Sequence, residues 1–383
     1  MKGVRADAVA LAALFALALA VAVHAWRSPT RWMPDGYFYR AQVLELRGVD
    51  KHVALARVFT SPLTAAERRD EAGLPVYQRK LSNPDWVEGS AKFYARRWLV
   101  PAVAAVLDPW LGLRSLKAAS LVGYVVIVPF LFLLLRLWFP PLLAGLASGA
   151  VLLLEPLRVW SASPLTDSWG VALECAVLAA GCLVLSRGTR WLAAWVPAVL
   201  LLAFTRDATA FVVGAAIVVA LLRRDRTATW LAATGVLAAL PAPLLFGVPL
   251  VDAIAYPLNG YYPLPNADWS FVADRWPDGV KSLVREDLEY LGGHVVTAAV
   301  VVGGLLSLAL LPPTADGRRA YVWAAAIGSL LYLLVTPNDT QFRLELVVVP
   351  FIALGLGALA QWLDARPLLR PAGAVAAHHR TAR

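Results

Sequence analysis

An all-α, polytopic membrane bundle is the fold class that this 383-residue chain predicts, and three observations predict it. Apolar residues make up 59% of the sequence and charged residues only 16%, far from the balance of soluble domains. The apolar residues gather into about ten runs, each near the length that crosses a hydrocarbon core of roughly 30 Å. The basic residues are shared unequally between alternate connections, as the positive-inside tendency requires. The net charge of +9 is scattered beside the apolar runs and forms no basic stripe with interleaved aromatics. That pattern argues against nucleic acid as a partner and for membrane lipid.

The first run, 8-26, follows Lys2 and Arg5 and ends in Ala-Val-His-Ala-Trp, a pattern shared with cleaved signal peptides. Its length favours a retained span. A long loop, 27-114, comes next. Within it Trp98 to Leu113 is apolar but broken by Pro101, Asp108 and Pro109, and it reads as a helix lying in the interface with Arg96 and Arg97 toward headgroups. Further spans are expected at 115-138, 141-159, 168-186, 190-205, 207-223 and 228-247. After a second long loop, 248-293, the last three fall at 294-312, 319-336 and 345-363. Pro-Pro pairs at 140-141 and 312-313 punctuate the turns. Residues 1-363 thus form one transmembrane domain, and 364-383 a charged tail expected to be disordered.

An N-terminus in the cytoplasm puts Lys2, Arg5, Arg136, Arg187, Arg190, Arg223, Arg224, Arg226, Arg318, Arg319, Arg366, Arg370, Arg380 and Arg383 on the cytoplasmic side. The short external connections then carry only Arg158, Arg206 and Arg343. An even number of spans returns the C-terminus to the cytoplasm, and both long loops face outward. Cys175 and Cys182 share one apolar run and read as small buried hydrophobes. His24, His52 and His294 are isolated, and no spacing of metal ligands appears.

Acids and arginines recur at the external ends of these spans. Asp35 follows the first, Asp167 closes Ser161-Ala-Ser-Pro-Leu-Thr-Asp167, Arg206-Asp207 fills a tight turn, and Asn338-Asp339-Thr340-Gln341-Phe342-Arg343 precedes the last. Charged groups within a membrane cost about 2.5–3.5 kcal/mol at its centre and less at its boundary, so they are expected to converge on one face with partners or a task. Glu155 and Arg158 read as a structural i,i+3 pair. Glu174 either lines the same space or is neutral and hydrogen-bonded.

These residues, in this order, resemble the GT-C superfamily of membrane glycosyltransferases, which includes protein mannosyltransferases and lipid A aminoarabinose transferases. The resemblance lies in Asp35-Gly36-Tyr37-Phe38-Tyr39-Arg40-Ala41, in Arg96-Arg97-Trp98-Leu99-Val100-Pro101, in Ser163-Pro164-Leu165-Thr166-Asp167, in Thr205-Arg206-Asp207, and in Phe342-Arg343-Leu344 through Pro350. It implies an extracytoplasmic transferase in the cell membrane, with a sugar on polyprenyl phosphate as donor, a lipid, glycan or protein as acceptor, and the first-loop acid as base. The family often pairs two acids where this chain has Asp35 followed by Gly36, which leaves a divalent metal as an open alternative and no cofactor certain.

Inverting transfer needs a base at the acceptor hydroxyl and cations where negative charge grows on the leaving phosphate. Asp35 fits the first role, with a Pro-Asp-Gly turn as the competing structural one. Arg343, Arg206 and Arg97 fit the second, because guanidinium grips phosphate through parallel hydrogen bonds. Tyr39, Arg40, Asp167, Asp207, Asp339 and Trp269 are candidate substrate contacts. Against them stand a helix cap at Asp167, an ion pair across the turn at Arg206-Asp207, and interface anchoring at Tyr37 and Tyr39. The segment 256-293, with Tyr261, Tyr262, Trp269, Trp276, Asp268, Asp274 and Asp278, suits sugar stacking or an aromatic belt. The competing functional class is a lipid or solute transporter or flippase, which would place polar residues at the membrane midplane on broken spans in matching halves.

Overall fold

A computed structural model describes residues 2–75, 78–264, 266–337 and 342–366, and within them the chain is helical with no strand. The first helix, α1 (Lys2–Arg27), is followed by five that build the first long loop: α2 (Pro34–Leu46), α3 (Lys51–Phe59), α4 (Ala65–Ala72), α5 (Pro84–Tyr94) and α6 (Leu99–Leu111). Then come α7 (Ser115–Arg136), α8 (Pro141–Leu152), α9 (Glu155–Ser161), α10 (Asp167–Arg187), α11 (Leu192–Ala203), α12 (Thr209–Arg223) and α13 (Arg226–Ala239). The second long loop holds α14 (Pro241–Phe246), α15 (Leu250–Leu258) and α16 (Trp269–Gly293), and the chain ends in α17 (Val295–Ser307), α18 (Arg318–Val335) and α19 (Val349–Asp364).

Six helical runs are long and apolar enough to cross a membrane: Val4–Arg27, Leu99–Arg136, Asp167–Arg187, Arg226–Phe246, Arg318–Val335 and Glu345–Asp364. Two bent pairs raise the number to eight if each is one span. They are α8 with α9, bent by 63°, and α16 with α17 and its last turn, bent by 118°. The expected segments 190-205 and 207-223 correspond to the shorter apolar helices Thr189–Ala203 and Thr209–Arg223. These lengths and compositions are those of an integral membrane protein.

α10 is the axis of the bundle. Its apolar residues run all round it and 94% of its span is buried, against α7, α11, α13 and α18. α1, by contrast, is only 22% buried and packs along α7 and α8. α17 and α19 cross at two glycines: a Cβ on Gly355 would stand 1.7 Å from the Gly304 carbonyl oxygen, so only hydrogen fits there.

The two long loops are folded helices rather than open connections. Asp50 caps α3 by accepting from the His52 and Val53 amides, and Asn83 caps α5 ahead of Pro84. Phe38 of α2 stacks on Tyr94 of α5 at 4.5 Å and tilts against Phe59 at 5.0 Å. The loops then clasp each other. Lys80 Nζ donates to the Gly260 carbonyl at 2.7 Å, Trp86 Nε1 to the Tyr261 carbonyl at 2.7 Å, and Lys92 pairs with Asp252 at 3.0 Å. The stretch read as an interfacial helix is α6, whose Val100, Ala104 and Asp108 are buried while Val106 and Trp110 are exposed. Cys175 and Cys182 are free and buried.

Candidate functional site

Asp35 is positioned by helix initiation, not by the turn that Pro-Asp-Gly suggests. Pro34 supplies the fixed φ of a first helical residue, and the carboxylate falls in the first turn of α2. Gly36 follows in a tight place: a Cβ there would lie 3.2 Å from the Pro164 carbonyl oxygen and 3.2 Å from the Trp32 ring, so a larger residue requires those neighbours to give by a few tenths of an ångström. A second acid at this position would therefore press on the Pro164 carbonyl and the Trp32 ring.

Around Asp35 three donors converge. Arg343 Nη2 donates to one carboxylate oxygen at 2.7 Å, Tyr94 Oη donates to the other at 3.1 Å, and Arg97 Nη1 stands 3.8 Å away. Burial pushes the Asp35 carboxyl up, but the Arg343 and Arg97 guanidiniums and the bonds from Arg343 and Tyr94 outweigh it and hold the group below the usual carboxylate range. At the two tyrosines burial is the largest cause and outweighs the lowering pull of Arg97, so Tyr39 and Tyr94 are pushed up. Tyr39 accepts from Arg97 Nη1 at 3.0 Å and is wholly enclosed, so it orients the arginine rather than facing a ligand.

Asp167 is the first residue of α10 and makes no cap; the Thr166 side chain at the cap position makes none either. The Asp167 carboxylate is 0% exposed and is shared by two guanidiniums, Arg206 Nη2 and Arg343 Nε, the latter at 3.1 Å. The expected Arg206–Asp207 pair across the turn does not form. The turn between α11 and α12 sends the two side chains to different partners, Arg206 inward to Asp167 and Asp207 to Arg96 and Arg97, with Arg97 Nη2 at 3.1 Å. Arg206 has space because α10 carries a glycine beside it: a Cβ on Gly170 would meet its Cδ at 2.7 Å.

These groups open onto one cavity of about 870 Å³, lined by Asp35, Arg97, Arg206, Asp207 and Arg343, with Arg31, Arg96, Lys80 and Lys92 at its sides. The lining also includes the apolar Phe246, Val248, Leu250 and Val335 and the aromatic Tyr94, Tyr256 and Tyr261. Two guanidinium nitrogens, Arg206 Nη1 and Arg97 Nε, are buried with no hydrogen-bond partner among the described residues. Such atoms call for a hydrogen-bond acceptor from beyond the described residues, since an unmet buried donor is costly.

Arg343 is held on two sides. Trp160 of α9 carries its guanidinium 5.8 Å from the ring centroid, and Phe342, in the left-handed backbone region at φ 59°, stacks on Tyr290 at 5.6 Å. Tyr290 in turn donates to Glu155, and His294 Nε2 stands 4.0 Å from the same carboxylate. Glu155 is thus tied to α16 rather than to Arg158. Glu174 lies enclosed within α10 and accepts from Ser329 Oγ at 3.4 Å, outside the cavity lining.

Other expected contacts lie elsewhere. Arg40 joins Arg47 on Asp108 and fastens α2 to α6, because its helical position faces away from Asp35. Trp269 begins α16 exposed and does not line the cavity; from that loop Tyr256, Tyr261 and Glu286 do. Asp339 lies outside the described residues, as does the tail from 367 onward. Tyr94 and Trp160 gave no signal in the sequence, whereas the Arg96-Arg97 doublet did. Among the described residues no three His, Cys, Asp or Glu side chains gather as metal ligands, and the cations flanking Asp35 do not fit a divalent metal there. No protein-family model matches the chain, and no curated protein matches it.

Proposed function

We propose that the chain is a glycosyltransferase of the cell membrane, GT-C-like, that moves a sugar from a polyprenyl-phosphate donor to an extracytoplasmic lipid, glycan or protein acceptor. The observation that carries this reading is the carboxylate of Asp35 opening onto the same cavity as Arg97, Arg206 and Arg343, two of which hold buried, unmet N–H donors. The cavity volume falls in the range of roughly 300–1,000 Å³ typical of ligand sites. Its apolar lining residues suit an isoprenoid chain, and its aromatic ones suit a sugar ring. Counting both bent pairs and the two short helices as crossings supports ten spans, with both termini in the cytoplasm and the cavity outside.

In this reaction the acceptor O–H loses its proton to an Asp35 oxygen as its own oxygen bonds to the anomeric carbon. The bond from that carbon to the phosphate oxygen breaks, its electron pair leaves on the phosphate, and the configuration inverts. Charge developing on the leaving phosphate meets Arg206 and Arg343, whose guanidiniums are already in place. Asp35 is in the protonation state a base requires, because its neighbours keep it ionised.

The test is reconstitution of the purified chain in lipid with labelled polyprenyl-phosphate sugars, followed by isolation of the labelled product. Asp35→Asn is expected to fold and to lose about 10²- to 10⁴-fold in rate. Unchanged turnover in that variant removes Asp35 as the base, and no turnover with any lipid-linked sugar removes the reading.

A further inference from the structure

Four guanidiniums and three carboxylates make one connected network at the cavity. Arg206 and Arg343 share Asp167, Arg343 and Arg97 share Asp35, and Arg97 and Arg96 share Asp207. With every carboxylate ion-paired, the cations of this network exceed its anions by one; Arg31, Lys80, Lys92 and Glu286 also line the cavity and form a background common to every variant compared below. The three acids are not equivalent. Asp167 is enclosed and Asp35 is 15% exposed, whereas Asp207 is 28% exposed and lies at the edge of the network, tied to Arg96 and Arg97 and to neither Arg206 nor Arg343. Its charge can change while Arg206 and Arg343 keep their carboxylates.

A phosphate ester of a lipid exists in two charge classes. A phosphodiester, such as a sugar joined to a lipid through one phosphate, has a single ionisable oxygen and is a monoanion. A phosphomonoester, such as the lipid phosphate left behind, carries about −1.5 to −2 near neutral pH. We propose that Asp207 is a specificity-determining residue that sets the charge class of the bound ligand: ionised between Arg96 and Arg97, it keeps the network one charge above balance, so that the cavity prefers a lipid phosphodiester to a dianionic lipid phosphomonoester. The inference rests on the reading of the cavity as a phosphate site and adds a reason for product release. When the acceptor proton passes to Asp35, the network loses one negative charge and the newly formed dianion is matched. When Asp35 returns that proton to water, the network again exceeds balance by only one, and the dianion is disfavoured.

Competitive binding of farnesyl phosphate and its methyl diester to the full chain in phosphatidylcholine nanodiscs, at a pH near 8 where the monoester is a dianion, tests this without any transfer step. Wild-type protein is expected to prefer the diester. Asp207→Asn is expected to shift the ratio toward the monoester by about tenfold, a contact-range Coulomb effect reduced for solvent screening. Asp207→Glu, which keeps the charge, should leave the ratio near wild type. If Asp207→Asn does not fold, Arg96→Gln must move the ratio the opposite way. An unchanged ratio in Asp207→Asn, or an equal shift in Asp207→Glu, overturns the proposal. Binding of neither ester overturns it together with the phosphate reading, while a shifted ratio in a protein that transfers no sugar leaves it standing and removes the transferase.

Discussion

Replacing Asp167 by Asn separates the acid that holds the site together from the acid proposed to do chemistry. Each Asp167 oxygen accepts from a different guanidinium, Arg206 Nη2 on one and Arg343 Nε on the other at 3.1 Å. Asn keeps the shape but turns an NH₂ toward one of them. Arg343 retains Asp35 at 2.7 Å, whereas Arg206 retains no carboxylate within ion-pair distance among the described residues. The loss is therefore that of a single buried pair broken from one side, about 3–5 kcal/mol. At Asp35 the same change leaves Arg343 on Asp167 and Arg97 on Asp207, and costs about 1–3 kcal/mol. Thermal unfolding of the two variants in nanodiscs, followed by tryptophan fluorescence, should show Asp167→Asn melting well below Asp35→Asn, with transfer lost in the second although it is folded. An Asp167→Asn protein that melts with wild type, or two variants equally unstable, would refute the assignment of Asp167 as the buried anchor.

Two further outcomes follow from the same geometry. Gly36→Asp, which restores the paired acid of the family pattern, should destabilise by about 1–3 kcal/mol, because the Pro164 carbonyl it meets is pinned by its neighbour Leu165, whose carbonyl accepts from Ser120 Oγ at 2.8 Å; a variant as stable and active as wild type would show that the turn can yield. The Asp35 carboxyl, held below its ordinary 3.8, contributes stability that is complete above that value and is lost as pH falls through the lower native one. In kcat/KM, which reports the donor-free protein, transfer by wild type should accordingly show no acid limb from Asp35 between about pH 8 and pH 5, and a kcat/KM falling through a midpoint near about pH 6 would assign the base to another group.

Most of the architecture was legible because a membrane span announces itself in composition. The apolar runs at 8-26, 168-186 and 345-363 fall on α1, α10 and α19, and the breaks near 139-141 and 312-313 fall between helices. The meeting of Asp35 with Arg343, which are 308 residues apart, was expected from a topological argument alone: charges at the ends of spans must share one face. What could not be read was which charge takes which partner. Arg206 and Asp207 are neighbours in sequence and were expected to pair, yet the backbone between α11 and α12 turns their side chains apart. Arg40 stands five residues beyond Asp35, so one turn and a half of helix carries it to Asp108 instead. In the first long loop α6 is legible from its apolar run, whereas α3 and α5 are hidden, since Asp50 and Asn83 cap short segments that leave no long hydrophobic run.

The pairing of Asp35 with Arg343 bears on how a strongly acidic carboxyl serves as a base. A carboxylate stabilised by two guanidiniums is ionised but a weak proton acceptor, because accepting a proton forfeits both attractions. On the proposed reaction the donor phosphate competes for Arg343, since guanidinium binds phosphate through parallel bonds and the arginine already stands between Asp35 and the enclosed Asp167. Each bond Arg343 transfers to the phosphate is withdrawn from Asp35, and the basicity of the carboxylate rises when a leaving group is in place to receive the negative charge. On that proposal the arginine couples the two ends of the displacement: with no donor bound it holds Asp35 ionised and unreactive, and with donor bound it releases the base it had restrained.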